Sequence, residues 1–258
     1  MARCDRDFEK AEIYHNKKNY KNALTIYIEL VGHQYPAAFY RIGEYYQKGI
    51  NLKKRPDLAA KFYERGAELG MARCCYELSR MYHNGEYYAR DREKEVEMLE
   101  LAADLAVPEA QYLFGEYLLE GSVVDNDTAR AVSYFYDAAQ AEHADAAFRY
   151  AEHMLRSGME SDSIFGTVDE CMRFAADRGA HGAMLWLVGY EEARGKYREA
   201  YLMAKRLYLE GNSDAALYMG DCYMLGRGVR RDKHLAKDFY REAAAKGNER
   251  ARRVLEEW

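Results

Sequence analysis

A chain of 258 residues with 49% hydrophobic content is long enough to bury an ordinary core, and three prolines without a Gly/Ser-rich linker predict one continuous folded body. The formal net charge of -5, with acids and bases interspersed, supplies no basic stripe for nucleic acid and no polybasic membrane anchor. MARCDRDFEK places charges where a signal peptide needs an apolar segment, and no apolar run approaches the roughly 18 residues of a membrane helix, so a soluble cytoplasmic protein is expected. Five cysteines (Cys4, Cys74, Cys75, Cys171, Cys222) make an odd set without recurring spacing, which predicts reduced thiols. The adjacent Cys74 and Cys75 point in different directions on a helix and read as small core residues.

Residues 5 to 32 read as a first helical hairpin with its turn at Lys18-Asn19, and in its second half Ala23, Ile26, Tyr27, Leu30 and Val31 recur at helical spacing. From Pro36 a longer period begins. A small residue marks each first helix at Gly43, Ser79, Gly115, Ala151, Gly189 and Gly220, and six residues later a helix end is expected at Gly49, Gly85, Gly121, Ser157, Gly195 and Gly226. Second helices carry paired large residues (Phe62-Tyr63, Met98-Leu99, Tyr134-Phe135, Cys171-Met172, Met203-Ala204, Phe239-Tyr240), followed in most copies by a small pair such as Ala102-Ala103 or Ala243-Ala244. Pro36, Pro56 and Pro108 suit first helical positions, and Asp91, Asp127 and Asp232 suit N-caps. SGMESDSIFGTVDE in the fourth copy predicts a longer inter-helix loop and a later second helix, and the fifth copy has a tight turn at Gly195-Lys196. NERARRVLEEW places Ala251, Leu255 and Trp258 on one face of a closing helix.

The clearest unit runs from Ser213 to Asn248. Its order is Ala215-Ala216, Met219-Gly220, Tyr223, a turn with Gly226, Gly228 and Val229, then Asp232, Ala236, Phe239-Tyr240, Ala243-Ala244 and Gly247. This pattern resembles the Sel-one-like repeat, a tetratricopeptide-like helical hairpin. The resemblance implies an all-α, right-handed α-solenoid (superhelix) of about seven stacked antiparallel hairpins, with a capping hairpin over 1–35. Six repeats would follow over 36–71, 72–107, 108–143, 144–180, 181–212 and 213–247, with a capping helix over 248–258. It also implies an adaptor or scaffold that binds a protein or peptide in a concave groove, without a cofactor. Two alternatives are a dedicated inhibitor or immunity protein for one partner, and a small-substrate hydrolase using dispersed groove carboxylates.

No catalytic motif supports an enzyme: HExxH, GxSxG and a phosphate-binding loop are absent, no serine has a lysine three residues on, and Gly226-Arg227-Gly228 lacks the third glycine of a dinucleotide fingerprint. His143 and His153, with Asp145 and Glu152, are ten residues apart, about 15 Å along a helix, too far for one metal ion, and read as solvated helix residues. Three residues before each small anchor runs a ladder of Tyr40, Tyr76, Tyr112, Phe148, Trp186 and Leu217, which reads as core packing or as ligand contact. Counting the anchor as the eighth residue of each first helix, a stripe beside the ladder collects Arg41, Glu44, Arg73, Glu77, Arg80, Glu116, Asp145, Arg149, Glu152, Tyr190, Tyr218 and Asp221. In tetratricopeptide-like stacks this stripe would face the groove. Together with Tyr40, Tyr76 and Tyr112 it forms the expected partner-binding set, the alternative being a solvated mixed-charge face.

Overall fold

Residues spaced three and four apart become the buried faces of α-helices throughout the computed structural model, which describes residues 2–258. The chain divides between Ala138 and Ala139 into two compact units rather than the single body expected, and the division falls inside a helix, not in a linker. The first unit stacks α1 (Ala2–Asn16) on α2 (Tyr20–Gly32), α3 (Pro36–Lys48) on α4 (Pro56–Glu68), α5 (Ala72–Asn84) on α6 (Arg92–Asp104), and α7 (Pro108–Glu120) against α8 (Thr128–Gln140). The second pairs α9 (Ala144–Ser157) with α10 (Val168–Asp177), α11 (His181–Ala193) with α12 (Tyr197–Leu209), α13 (Ser213–Leu225) with α14 (Lys233–Ala245), and closes on α15 (Glu249–Glu256). The fold class is all-α, a solenoid-type succession of antiparallel hairpins. Among the described residues no helix is long and apolar enough to cross a membrane.

The hairpins are built from local signals. Proline opens α3, α4 and α7, where the missing N–H costs little. Side-chain oxygens of Asp91, Asp127 and Asp232 accept the backbone N–H of Lys94 (3.1 Å), Arg130 (2.9 Å) and Leu235 (3.0 Å), capping the second helices. Left-handed glycines end α3, α5, α7, α9 and α13 at Gly49, Gly85, Gly121, Gly158 and Gly226. In the fourth repeat the cap is therefore Gly158, and Ser157 is the last helical residue. α11 has its C-cap at Arg194, and the expected left-handed glycine follows one residue later, Gly195 at φ 76° with its N–H on Glu192 O at 2.9 Å.

Where the hairpins close, glycine meets an aromatic ring. A Cβ on Gly43, Gly115 or Gly220 would lie 2.4, 2.7 or 2.5 Å from the rings of Tyr63, Phe135 and Tyr240 on the paired second helices. The fifth repeat breaks this rule. Gly189 has nothing within 4 Å of its would-be Cβ, and Val188 is the buried residue, sharing a cluster with Ala200 and Tyr201. The true anchor is one position earlier than its glycine suggested, and the ladder residue of this repeat is Leu185 rather than Trp186. The longer loop of the fourth repeat is a two-stranded hairpin, β1 (Ser161–Asp162) against β2 (Gly166–Thr167), turned by Asp162 accepting from Ile164 N (2.7 Å) and Phe165 N (2.9 Å). α15 covers the last repeat: Asn248 caps Ala251 at 3.0 Å and donates to Asp214 at 2.7 Å, and Ala251 is buried beside Leu217, Tyr240 and Ala243. All five cysteines are free, and burial pushes the thiols of Cys171 and Cys222 up to about 12 and about 11.

Candidate functional site

In the first unit the predicted stripe divides into side chains spent on the fold and side chains left at the surface. Arg41 binds Glu12 of α1 through Nη2 and through Nε (2.8 Å), and reaches Glu44 at 2.8 Å. Glu12 also accepts from the Tyr27 hydroxyl at 2.5 Å, so this network ties the first hairpin to α3. Glu44, expected on an open face, is buried, and its other oxygen takes Lys48 at 2.6 Å. Burial works to raise the Glu44 carboxyl, but the Lys48 and Arg41 hydrogen bonds outweigh it and hold the group below the usual range. Glu77 is buried as well. Desolvation raises its carboxyl despite Arg80 at 3.1 Å. Both departures have one cause: their helices turn these positions toward a neighbouring hairpin, which spacing within one helix does not reveal.

The other residues of this unit lie closer to solvent. Tyr40 packs on Tyr63 with 6.2 Å between ring centroids, and burial pushes its hydroxyl up to about 12. Tyr112 packs on Phe135 at 6.1 Å, Glu116 is half-buried on α7, and Arg73 crosses to Glu109 at 2.9 Å. Tyr76 and Arg80, with the guanidinium 5.9 Å from the ring centroid, border a cavity of about 260 Å³ between α5, α6 and α7.

The centre of that cavity is a residue that spacing alone did not single out. Glu95, 5% exposed, accepts from Tyr117 Oη at 2.6 Å and Arg92 Nη1 at 2.7 Å, and lies 3.0 Å from His83 Nδ1. Burial alone would raise its carboxyl, but these three hydrogen bonds hold it below the ordinary range. The Arg92 guanidinium also sits 4.4 Å over the Tyr117 ring. A signal existed: Glu95 is the fourth residue of its helix, where α4, α8 and α14 carry the fully buried alanines Ala59, Ala131 and Ala236.

In the second unit Asp145 is exposed in the first turn of α9, while Arg149 and Glu152 pair at 2.9 Å. Tyr190 stands off the stripe, because its position was counted from Gly189. Its ring stacks on Trp186 at 4.9 Å with Arg194 5.3 Å away. Tyr218 and Asp221 do come together, in a cavity of about 230 Å³ bordered also by Leu185, Glu192, Asp214 and Arg250. Burial pushes both groups up, and for Asp221 the hydrogen bond from Tyr240 Oη (2.7 Å) acts the other way. His143, expected as a solvated helix residue, is the N-cap of α9 and accepts from Ala146 N at 3.2 Å. Among the described residues no three His, Cys, Asp or Glu side chains gather to hold a metal.

The family model of the Sel1 repeat matches residues 36–71, 72–107, 108–143 and 213–248. The residues between the third and fourth matches include the β-hairpin and the shifted anchor. Among solved structures, a protective antigen present in uropathogenic Escherichia coli strains and displaying an SLR fold is 22% identical over 96% of this chain, with a TM-score of 0.74. The alignment spans 55% of that antigen's chain. A Sel1 repeat protein from Oxalobacter formigenes is 24% identical, with 95% of this chain and 86% of the other covered and a TM-score of 0.54. These likenesses show a shared fold. The four matched repeats make up more than half of the sequence, and the chain belongs to the Sel1 repeat family.

Proposed function

We propose that the chain is a non-catalytic interaction protein that binds another protein or a peptide, as an adaptor or scaffold, on the faces carried by its first helices. The carrying observation is the cavity of the first unit, where Tyr76 and Arg80 border a preformed cluster whose buried carboxylate is already saturated. Tyr and Arg are the side chains that anchor protein interfaces, and a rigid floor reduces the ordering cost of binding. Tyr112, Glu116 and Arg73 in the same unit, and Asp145, Arg149, Glu152, Tyr218 and Asp221 in the other, are the further contacts proposed. Tyr40, Arg41, Glu44 and Glu77 act mainly by holding the repeats in place, and Tyr190 contributes through its stack on Trp186. The non-catalytic reading is supported by Glu44, Glu95 and Glu191, buried carboxylates that are each held by cationic partners. Free thiols, four of them buried, support a reducing compartment, and with it a cytoplasmic place.

Affinity capture from host lysate, followed by titration of the captured partner against Tyr76→Ala/Arg80→Ala, tests this reading. Binding should weaken by roughly tenfold or more with melting unchanged, as expected for interface anchors. Arg41→Ala is unsuitable, since it would release Glu12 and Glu44. Binding that survives the double change but is lost when an exposed second-helix residue such as Leu101 is altered would move the interface off the first helices.

A further inference from the structure

Away from the first-helix faces, the loop joining α13 to α14 and the start of α12 border an open surface cavity of about 540 Å³, lined by Arg198, Tyr223, Val229, Arg230, Arg231 and Asp232. Gly228 seats this loop. Its φ is 70°, and a Cβ there would lie 2.3 Å from the Tyr197 carbonyl oxygen, so only glycine lets the loop rest on α12. The wall is also fixed: the Tyr223 ring stacks on Phe239 at 5.5 Å and 8°, and its hydroxyl lies 3.1 Å from that of Tyr201.

Three exposed arginines, Arg198, Arg230 and Arg231, line this cavity with little to neutralise them. Arg231 Nε donates to Met224 O at 2.8 Å, and Arg198 makes one long contact, 3.5 Å, to Gly228 O. Among the described residues none of Arg198, Arg230 and Arg231 pairs with a carboxylate, whereas neighbouring Arg227 is held by Glu192 and Arg173 by Glu191. The one acid in the lining, Asp232, is engaged in capping α14, its Oδ1 accepting from His234 N and Leu235 N at 3.0 Å each. Three positive charges against one negative leave two in excess, in a chain whose formal net charge is -5. A phosphate monoester carries about -1.5 to -2 at neutral pH and offers oxygens that match the guanidinium fork. A carboxylate would leave the cavity positive, and Tyr223 and Val229 give an organic carrier something to pack against.

We propose that this cavity binds a phosphate monoester, carried by a free small molecule or by a phosphorylated side chain of a protein. This goes beyond the partner reading above and does not depend on it. Calorimetric titration of the full chain with phenyl phosphate at about pH 7.5 should give saturable one-to-one binding, roughly tenfold or more tighter than phenyl sulfate, which has the same shape and a single charge. Arg198→Ala/Arg230→Ala should weaken binding by roughly tenfold or more through the loss of charge-assisted hydrogen bonds, with melting unchanged. Affinity should fall as pH drops through about 6, where the phosphate gains a proton while the arginines stay charged. A phosphotyrosine peptide binding tighter than phenyl phosphate would assign the carrier as a protein, and equal affinities would assign a free monoester. No saturable binding, parity with phenyl sulfate, or binding indifferent to the arginine changes would overturn the proposal.

Discussion

Gly115 and Gly189 sit in comparable helical settings and serve opposite ends. A side chain at Gly115 runs into the Phe135 ring, whose nearest atom would lie 2.7 Å from the new Cβ, so Gly115→Val should overpack the hairpin and cost about 1–3 kcal/mol. Gly189→Ala meets nothing within 4 Å and exchanges a flexible helical residue for the best helix former, so it should stabilise by about 0.5–1 kcal/mol. Thermal denaturation of the two variants should move the midpoint in opposite directions. A shift of the same sign in both would mean that ring-over-glycine packing does not set the helix approach. The same reasoning explains why residue identity misled in the fifth repeat: the position demands a side chain that fits under its neighbours, and valine meets that demand.

At the level of elements, the α5, α6 and α7 contact depends on one carboxylate. Glu95 on α6 joins His83 of α5 and Tyr117 of α7, and its pKa is lower when folded than unfolded. A depressed carboxylate stabilises fully above its unfolded value, near 4.3, and the contribution is lost as pH falls through the folded value. Asp221 carries the opposite sign. Its folded pKa is raised by burial, so its charge costs stability at neutral pH, and the cost disappears below the unfolded value near 3.9. Glu95→Gln should therefore melt lower than the parent at about pH 7, the gap narrowing in acid. Asp221→Asn, which keeps an acceptor for Tyr240, should melt higher at about pH 7 and lose its advantage in acid. Parallel pH profiles for the parent and both variants would refute these assignments.

On the scale of the whole molecule, a stacked hairpin leaves a flank for its neighbour to cover, and in the second unit the flank of the α13–α14 hairpin falls to α15. Ending the chain after Asn248 would uncover Leu217, Tyr240 and Ala243, each large apolar side chain being worth about 1.5–3 kcal/mol of burial. Calorimetry should show the second unit melting earlier in the truncated chain. An unmoved transition would remove α15 from its capping role. In the first unit the hairpin of α1 and α2 covers α3 with apolar side chains, Ala23 and Tyr27 beside Ile42 and Tyr45, and Arg41 bridging Glu12 and Glu44 adds a polar tie.

The period of small residue, glycine turn and aromatic pair was enough to give helices, turns, caps and family, because each of these is decided within one or two turns of backbone. Pro36 and Pro108 open helices, Asp91 and Asp232 cap them, and Gly49 and Gly226 end them for reasons internal to a few residues. A minority of the candidate set was placed by the same local reasoning: Tyr76 of the ladder and Arg80, Tyr218 and Asp221 of the stripe border cavities. Only the tertiary structure decided which stripe residues are consumed by the fold, as with Arg41, Glu44 and Glu77, and that Glu95 rather than any stripe residue anchors a cavity. Those outcomes depend on what the neighbouring hairpin presents, and residues about 30 apart, such as Glu12 and Arg41, show no sign of each other in helical spacing. The arginine-lined cavity is of the same kind, since Arg198 and Arg230 line one cavity only because Gly228 lets a distant loop lie down on α12.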